Sequence, residues 1–94
     1  MTTRFEWDEA KAARNFRAHR VSFEQAAVAC CDAFAVEWID ARADYGEERI
    51  GLLGLYGREV VYVVYTERGE RIRIISARRA ERHEQDKYYR ENAP

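Results

Sequence analysis

The chain has 94 residues, room for one domain around a single core and not for two. Apolar residues make up 47% and charged residues 35%, with a formal net charge of −1, which excludes a uniformly basic nucleic-acid binder. No apolar run approaches the length of a membrane span and no signal peptide opens the chain, so a cytoplasmic protein is expected.

Phe5-Glu6-Trp7 reads as a short extended lead-in, and Asp8 has the chemistry to cap a helix. Trp7, Ala10, Ala13 and Phe16 recur at helical spacing, with Lys11, Arg14 and Arg17 on the flanks. This helix ends near Ala18-His19-Arg20. A second helix starts at a capping box of Ser22 and Gln25, with Val21 placed to staple onto Ala26. Phe23, Ala26, Ala27 and Cys30 form its buried stripe. The adjacent Cys30 and Cys31 suit neither a mutual disulfide nor a metal site, and read as small core residues of a reducing compartment.

Strand character begins after Asp32. Residues 34–40 are aromatic and β-branched, and 41–48 are polar with Gly46, a loop. Residues 49–56 form a second strand in which Gly51 and Gly54 mark weakness or bulges. Tyr56-Gly57-Arg58 turns the chain. The run Val60-Val61-Tyr62-Val63-Val64-Tyr65 within 59–66 predicts a central strand covered on both faces. Glu67-Arg68-Gly69-Glu70 is a hairpin turn with Gly69 free to take positive φ. The last strand, 70–76, carries Arg71 and Arg73 on one side and Ile72 and Ile74 on the other. From Arg78 on, the pattern is charged and helical, with Ala80, Glu84 and Tyr88 on one line. The reading is a single α+β domain over 1–94: two N-terminal helices packed on a four-stranded antiparallel sheet, with a C-terminal helix.

Charge is uneven along the chain. Residues 1–67 hold eight Lys and Arg against twelve Asp and Glu, and residues 68–94 hold eight against five. A basic end of this kind meets phosphate or an acidic partner, although a salt-bridged, solvated last helix yields the same count. A strand-borne guanidinium is rigidly held and grips phosphate through a two-pronged fork. The arginines of the last strand and its exit are expected to gather in one water-reachable hollow, against the plain alternative of a solvated sheet edge.

Phe5-Glu6-Trp7-Asp8, with Lys11, Asn15, His19 and Ser22-Phe23-Glu24-Gln25-Ala26, resembles the opening of the BrnT family of toxins. The stretch from Arg68 through Arg73-Ile74-Ile75-Ser76-Ala77-Arg78-Arg79-Ala80 to Glu84 and Tyr88-Tyr89 is similar to that family's close, and Gly46-Glu47-Glu48-Arg49 and Leu53-Gly54 fit its centre. One departure is Ala18-His19-Arg20, where the family often has Lys-His-Gly. The resemblance implies a RelE-like fold, ribonuclease activity that arrests translation in bacteria, and a type II toxin–antitoxin system. It also implies neutralisation by a BrnA-like antitoxin, in a heterotetramer whose DNA contacts are made by the antitoxin.

Metal-independent RNA cleavage needs a group to take the 2′-proton, a group to protonate the leaving 5′-oxygen, and fixed cations for the transition state. His19 suits proton exchange, since a free imidazole titrates near pH ~6.5; its structural role would be to bond the helix–helix turn. Lys11 serves as acid or base if a neighbouring arginine lowers its pKa, and otherwise pairs with Glu6 or Asp8. Arg73 and Arg78 are the leading charge-holders, with Arg49 as a third; each also has a carboxylate available in Glu48, Glu70 or Glu84. Arg68, Arg71 and Arg79 are candidate RNA contacts. Tyr88 and Tyr89 are candidates to stack bases or donate a proton, with Tyr88 better suited to docking the last helix on the sheet. His83 reads as solvated, and Glu84 as a salt-bridged carboxylate. No metal-ligand spacing, Walker loop or dinucleotide fingerprint is present, and no cofactor is expected. The competing function is a catalytically idle binding module, a partner subunit of a DNA-binding repressor complex. The apolar-poor last helix and an exposed sheet edge favour a protein partner in either case.

Overall fold

The computed structural model describes residues 4–40 and 46–94. The elements run β1 (Arg4–Glu6), α1 (Glu9–His19), α2 (Phe23–Cys30), β2 (Val36–Asp40), β3 (Arg49–Tyr56), β4 (Glu59–Arg68), β5 (Arg71–Arg79) and α3 (Arg82–Glu91). The sheet has five strands in the order β1-β5-β4-β3-β2. This corrects the expected four-stranded antiparallel sheet. β2 to β5 form the antiparallel meander, but the extended lead-in is itself a strand, paired parallel to β5 with Glu6 opposite Arg73. β5 also runs three residues further than its alternation predicts, so Arg78 and Arg79 are strand residues. The predicted loop 41–48 falls largely outside the described residues.

β4 is buried on both sides over seven consecutive residues, as its apolar run requires. On one face Val61, Val63, Tyr65, Leu52, Ile74 and Ala77 pack against Val21, Phe23, Ala26 and Ala29 of the α2 segment. On the other, Leu53, Val60, Tyr62 and Val64 pack against Ala80 and Tyr88 beneath α3. Gly51 and Gly54 make no bulge, because the β3–β4 register is continuous through both. They are there for close approach. A Cβ at Gly54 would stand 2.1 Å from the carbonyl oxygen of Ala29, and one at Gly51 would stand 2.7 Å from the Trp38 ring. The register shift lies instead between Val64 and Tyr65, opposite β5.

The helix ends follow the sequence signals. The Asp8 carboxylate accepts from the Lys11 N–H, and the Ser22–Gln25 capping box closes in both directions at 3.0 and 2.9 Å. Gly69 takes φ 62° in its turn and Gly57 takes φ 61° in the β3–β4 turn. α1 departs from its apparent stripe. Ala10, Ala13 and Phe16 face outward, and α1 has no buried residue. Its inner face carries Ala12 and Asn15, so a polar anchor does the work the apolar spacing suggested. Cys30 is half-buried and Cys31 exposed, both unbridged, and burial pushes the Cys30 thiol up to about 12.

Candidate active site

The end of β5 is fixed from three directions. Asn15 on α1 donates its amide to the carbonyls of Ala77 (2.8 Å) and Val21 (3.0 Å) and accepts from the Ala77 N–H at 3.2 Å. That clamp sets α1 on β5 one helical turn before His19, because i and i+4 share a helix face. From the other side, the Ala80 N–H donates to the Val60 carbonyl, and α3 then starts with the Glu81 N–H bonded to the Glu84 carboxylate at 2.8 Å.

Arg78 uses its fork internally. Its two terminal nitrogens donate to the two oxygens of Glu84 at 2.8 and 2.9 Å, and its guanidinium lies 4.5 Å over the Tyr62 ring. Burial pushes the Glu84 carboxyl up, but hydrogen bonds from Arg78 and the Glu81 N–H outweigh it and hold the group below the ordinary carboxylate range. The same pair raises the Arg78 pKa. Arg79 meets Glu59 through Nε at 2.8 Å, with its side chain 64% exposed.

His19, Arg78 and Arg79 meet at one open hollow of about 380 Å³, bounded also by Ala18 and Glu81. Two neighbouring hollows, of about 290 and 230 Å³, share Arg79 as a wall and add Arg20, Arg58, Tyr56, Gln85 and Tyr89. Together they form a trough around the end of β5.

The remaining expected site residues lie elsewhere. Arg71 and Arg73 both bind Glu6, at 3.1 and 2.9 Å. Five residue steps along the strand, about 16 Å, separate Arg73 from Arg78, so the strand's arginines form two groups and not one. Arg68 sits 3.6 Å from Glu47 in the hairpin region. Arg49 is opposite Asp40 at the start of β3, the Arg73 end of the sheet. Lys11 is exposed on α1, two turns before His19. Tyr88 is 3% exposed, so its ring offers no face to a base. Its hydroxyl donates to Asp32 at 2.5 Å, and Tyr88 docks α3. Tyr89, beside it, is exposed.

Three features escaped the sequence reading. Asp32 accepts from Tyr88 and from the N–H groups of Phe34 and Leu55, which overcome the upward push of burial and hold its carboxyl low. Arg20 and Arg58 reach the trough from a helix end and a tight turn, single positions that no periodicity marks. Glu81, His83 and Glu84 bring ligand atoms within 4.8 Å of one another, a grouping that their spacing did not suggest. A further hollow of about 280 Å³ lies between α3 and the sheet, where Lys87 stands 4.5 Å over the Trp38 ring.

One open hollow lined by an exposed histidine and two arginines gives a small α+β protein the chemistry to handle a phosphodiester. The family model for BrnT, the ribonuclease toxin of type II toxin–antitoxin systems, matches residues 7–84, and the chain belongs to that family. No curated protein matches the chain. Membership makes RNA the target and an antitoxin the partner, and it favours the enzyme over the idle binding module. Among the described residues, no helix is long and apolar enough to cross a membrane.

Proposed function

We propose that this toxin cleaves RNA without a metal ion at the hollow shared by His19, Arg78 and Arg79. The neutral His19 imidazole takes the proton from the 2′-hydroxyl as that oxygen attacks the adjacent phosphorus. The bond to the 5′-oxygen breaks, that oxygen takes a proton from solvent, and the products are a 2′,3′-cyclic phosphate and a free 5′-hydroxyl. Arg79 holds the added negative charge directly, and Arg78 supports the phosphate from its fixed place beside it. Lys11, Arg49, Arg68, Arg71 and Arg73 are assigned structural or peripheral contacts in this reading, and Tyr89 replaces Tyr88 as the base-stacking candidate.

The observation that carries this reading is the convergence of His19, from the end of α1, with the arginine pair at the end of β5 on one opening. Metal independence is supported by the state of the Glu81–His83–Glu84 group. Both Glu84 oxygens are bound to Arg78, and one of them also accepts from the Glu81 N–H, so a guanidinium already occupies the cation's place. By the same family likeness, cleavage acts on cytoplasmic RNA and arrests translation. A BrnA-like antitoxin then covers the trough in a heterotetramer that meets DNA through the antitoxin.

The test is cleavage of labelled single-stranded RNA by the purified chain in excess chelator. Activity should persist, with cyclic phosphate ends, and His19→Gln should lose about 10²–10⁴-fold. Loss of activity with chelator would remove the metal-free route, and wild-type rates in His19→Gln would remove His19.

A further inference from the structure

We propose that Arg20 and Arg58 form a second RNA subsite, which grips the backbone of the single strand beside the cleaved phosphate. The inference rests on the site assigned above and extends it across Arg79 into the adjoining hollow of about 290 Å³. Four arginines line the trough, and they divide by what they already bind. Arg78 is committed to Glu84, and Arg79 to Glu59. Arg20 and Arg58 have no carboxylate partner among the described residues. Arg20 lies 5.8 Å over the ring of Phe16, one turn behind it on its own helix, which steadies the guanidinium without neutralising it. Arg58 stands in the two-residue turn after Gly57.

The backbone at Arg20 adds a second observation. Arg20 caps α1 at φ 59° and ψ 27°, and it alone among the described non-glycine residues takes positive φ. That left-handed conformation favours glycine and strains any residue with a Cβ. Helices commonly end on such a residue, and the Arg20 N–H closes the last turn of α1 on the Phe16 carbonyl at 2.8 Å. Here the cap sets a cation on the wall of a hollow that Arg58 also lines. Tyr56 borders the same hollow and Tyr89 the next, and both rings are exposed. Uncommitted cations interleaved with open aromatic faces are what a single strand needs: charge for its phosphates and flat surface for its bases. Glu59 also lines this hollow, but its carboxylate is held by Arg79.

The test measures binding of a fluorescently labelled single-stranded RNA of about ten nucleotides across a salt series, in the cleavage-impaired His19→Gln background. Arg20→Gly suits the αL position, so its Tm should be unchanged or higher while the guanidinium is gone. Arg58→Ala tests the other cation on an open turn, and Arg90→Ala, on the last turn of α3, controls for net charge. Arg20→Gly and Arg58→Ala should each weaken binding about five- to tenfold and flatten the log–log salt slope by about 0.7, the value for one phosphate contact to a single strand. Arg90→Ala should do neither. Wild-type affinity and slope in both trough variants would overturn the proposal. So would unchanged RNA binding with weakened antitoxin binding, which would make this hollow the seat of an acidic peptide. The two site readings fail separately: full cleavage by His19→Gln strikes the chemistry, whereas unchanged salt slopes strike only this subsite.

Discussion

Arg71 and Arg73 at the start of β5 and Arg78 and Arg79 at its end are the same residue type on one strand, yet their surroundings differ. At the start, β1 brings a single carboxylate, Glu6, between two guanidinium groups, while the chain's two histidines line hollows elsewhere. At the end, Glu84 and more distantly Glu81 meet Arg78, Glu59 meets Arg79, and the clamp from Asn15 delivers a histidine beside them. A strand-borne arginine is thus no signal by itself. It becomes a candidate for phosphate chemistry where helix ends leave an opening and supply a base.

The sharpest way to break this contrast is to remove one arginine from each end. Arg79→Ala should lower single-turnover RNA cleavage by about 10²–10³, the loss of one transition-state donor, or ~2.7–4 kcal/mol. Arg73→Ala should stay within about threefold of wild type. Equal losses would erase the distinction. Arg78→Ala leaves Glu84 only 8% exposed and without its partner, and should destabilise the fold by roughly 2–3 kcal/mol. That is below the ~3–5 of a fully buried pair because the Arg78 side chain is 32% exposed. Calorimetry should show Tm lower by roughly 10–20 °C.

Most of the acid sensitivity should come from the same end of the sheet, since the third carboxylate held low, the Asp8 cap of α1, is fully exposed. Asp32 and Glu84 both titrate below their ordinary 3.8 and 4.5 in the folded chain. Groups with depressed folded values stabilise fully above their unfolded pKa and lose that contribution as pH falls through the folded one. Tm should therefore hold above about pH 5 and drop below it. Tyr88→Phe removes one hydrogen bond to Asp32 and should cost about 1.5 kcal/mol at neutral pH, with a shallower acid limb in the same titration. Glu6→Gln, at the other end, should cost no more than about 0.5–1 kcal/mol by denaturant melts, since Arg71 and Arg73 are partly screened by water.

Much of the scaffold was legible because its signals are local. The Ser22–Gln25 box, the apolar run of β4 and the Gly69 turn each announce themselves within a few residues. β1 did not, because three residues are too short to show a period and its partner lies 67 residues away at Glu6–Arg73. Asn15 was visible only as part of a family resemblance, since a polar residue on a helix carries no sign that it faces a strand. His19, Arg78 and Arg79 were named from chemistry. Their meeting at one hollow depends on where α1 lies along β5, which spacing cannot reveal. Arg20 was noticed as a departure from Lys-His-Gly, and its strained backbone gives that observation a physical meaning.

The mixed sheet also governs when the toxin comes into being during synthesis. β5 is the neighbour of both β1 and β4, and α1 rests on it, so the earliest elements stay unmated until residues 71–79 arrive. Such distant pairings close slowly and late. On the proposed site, a nascent chain halted on the ribosome before that strand emerges holds His19 but lacks the arginines opposite it, so its cleavage hollow is incomplete.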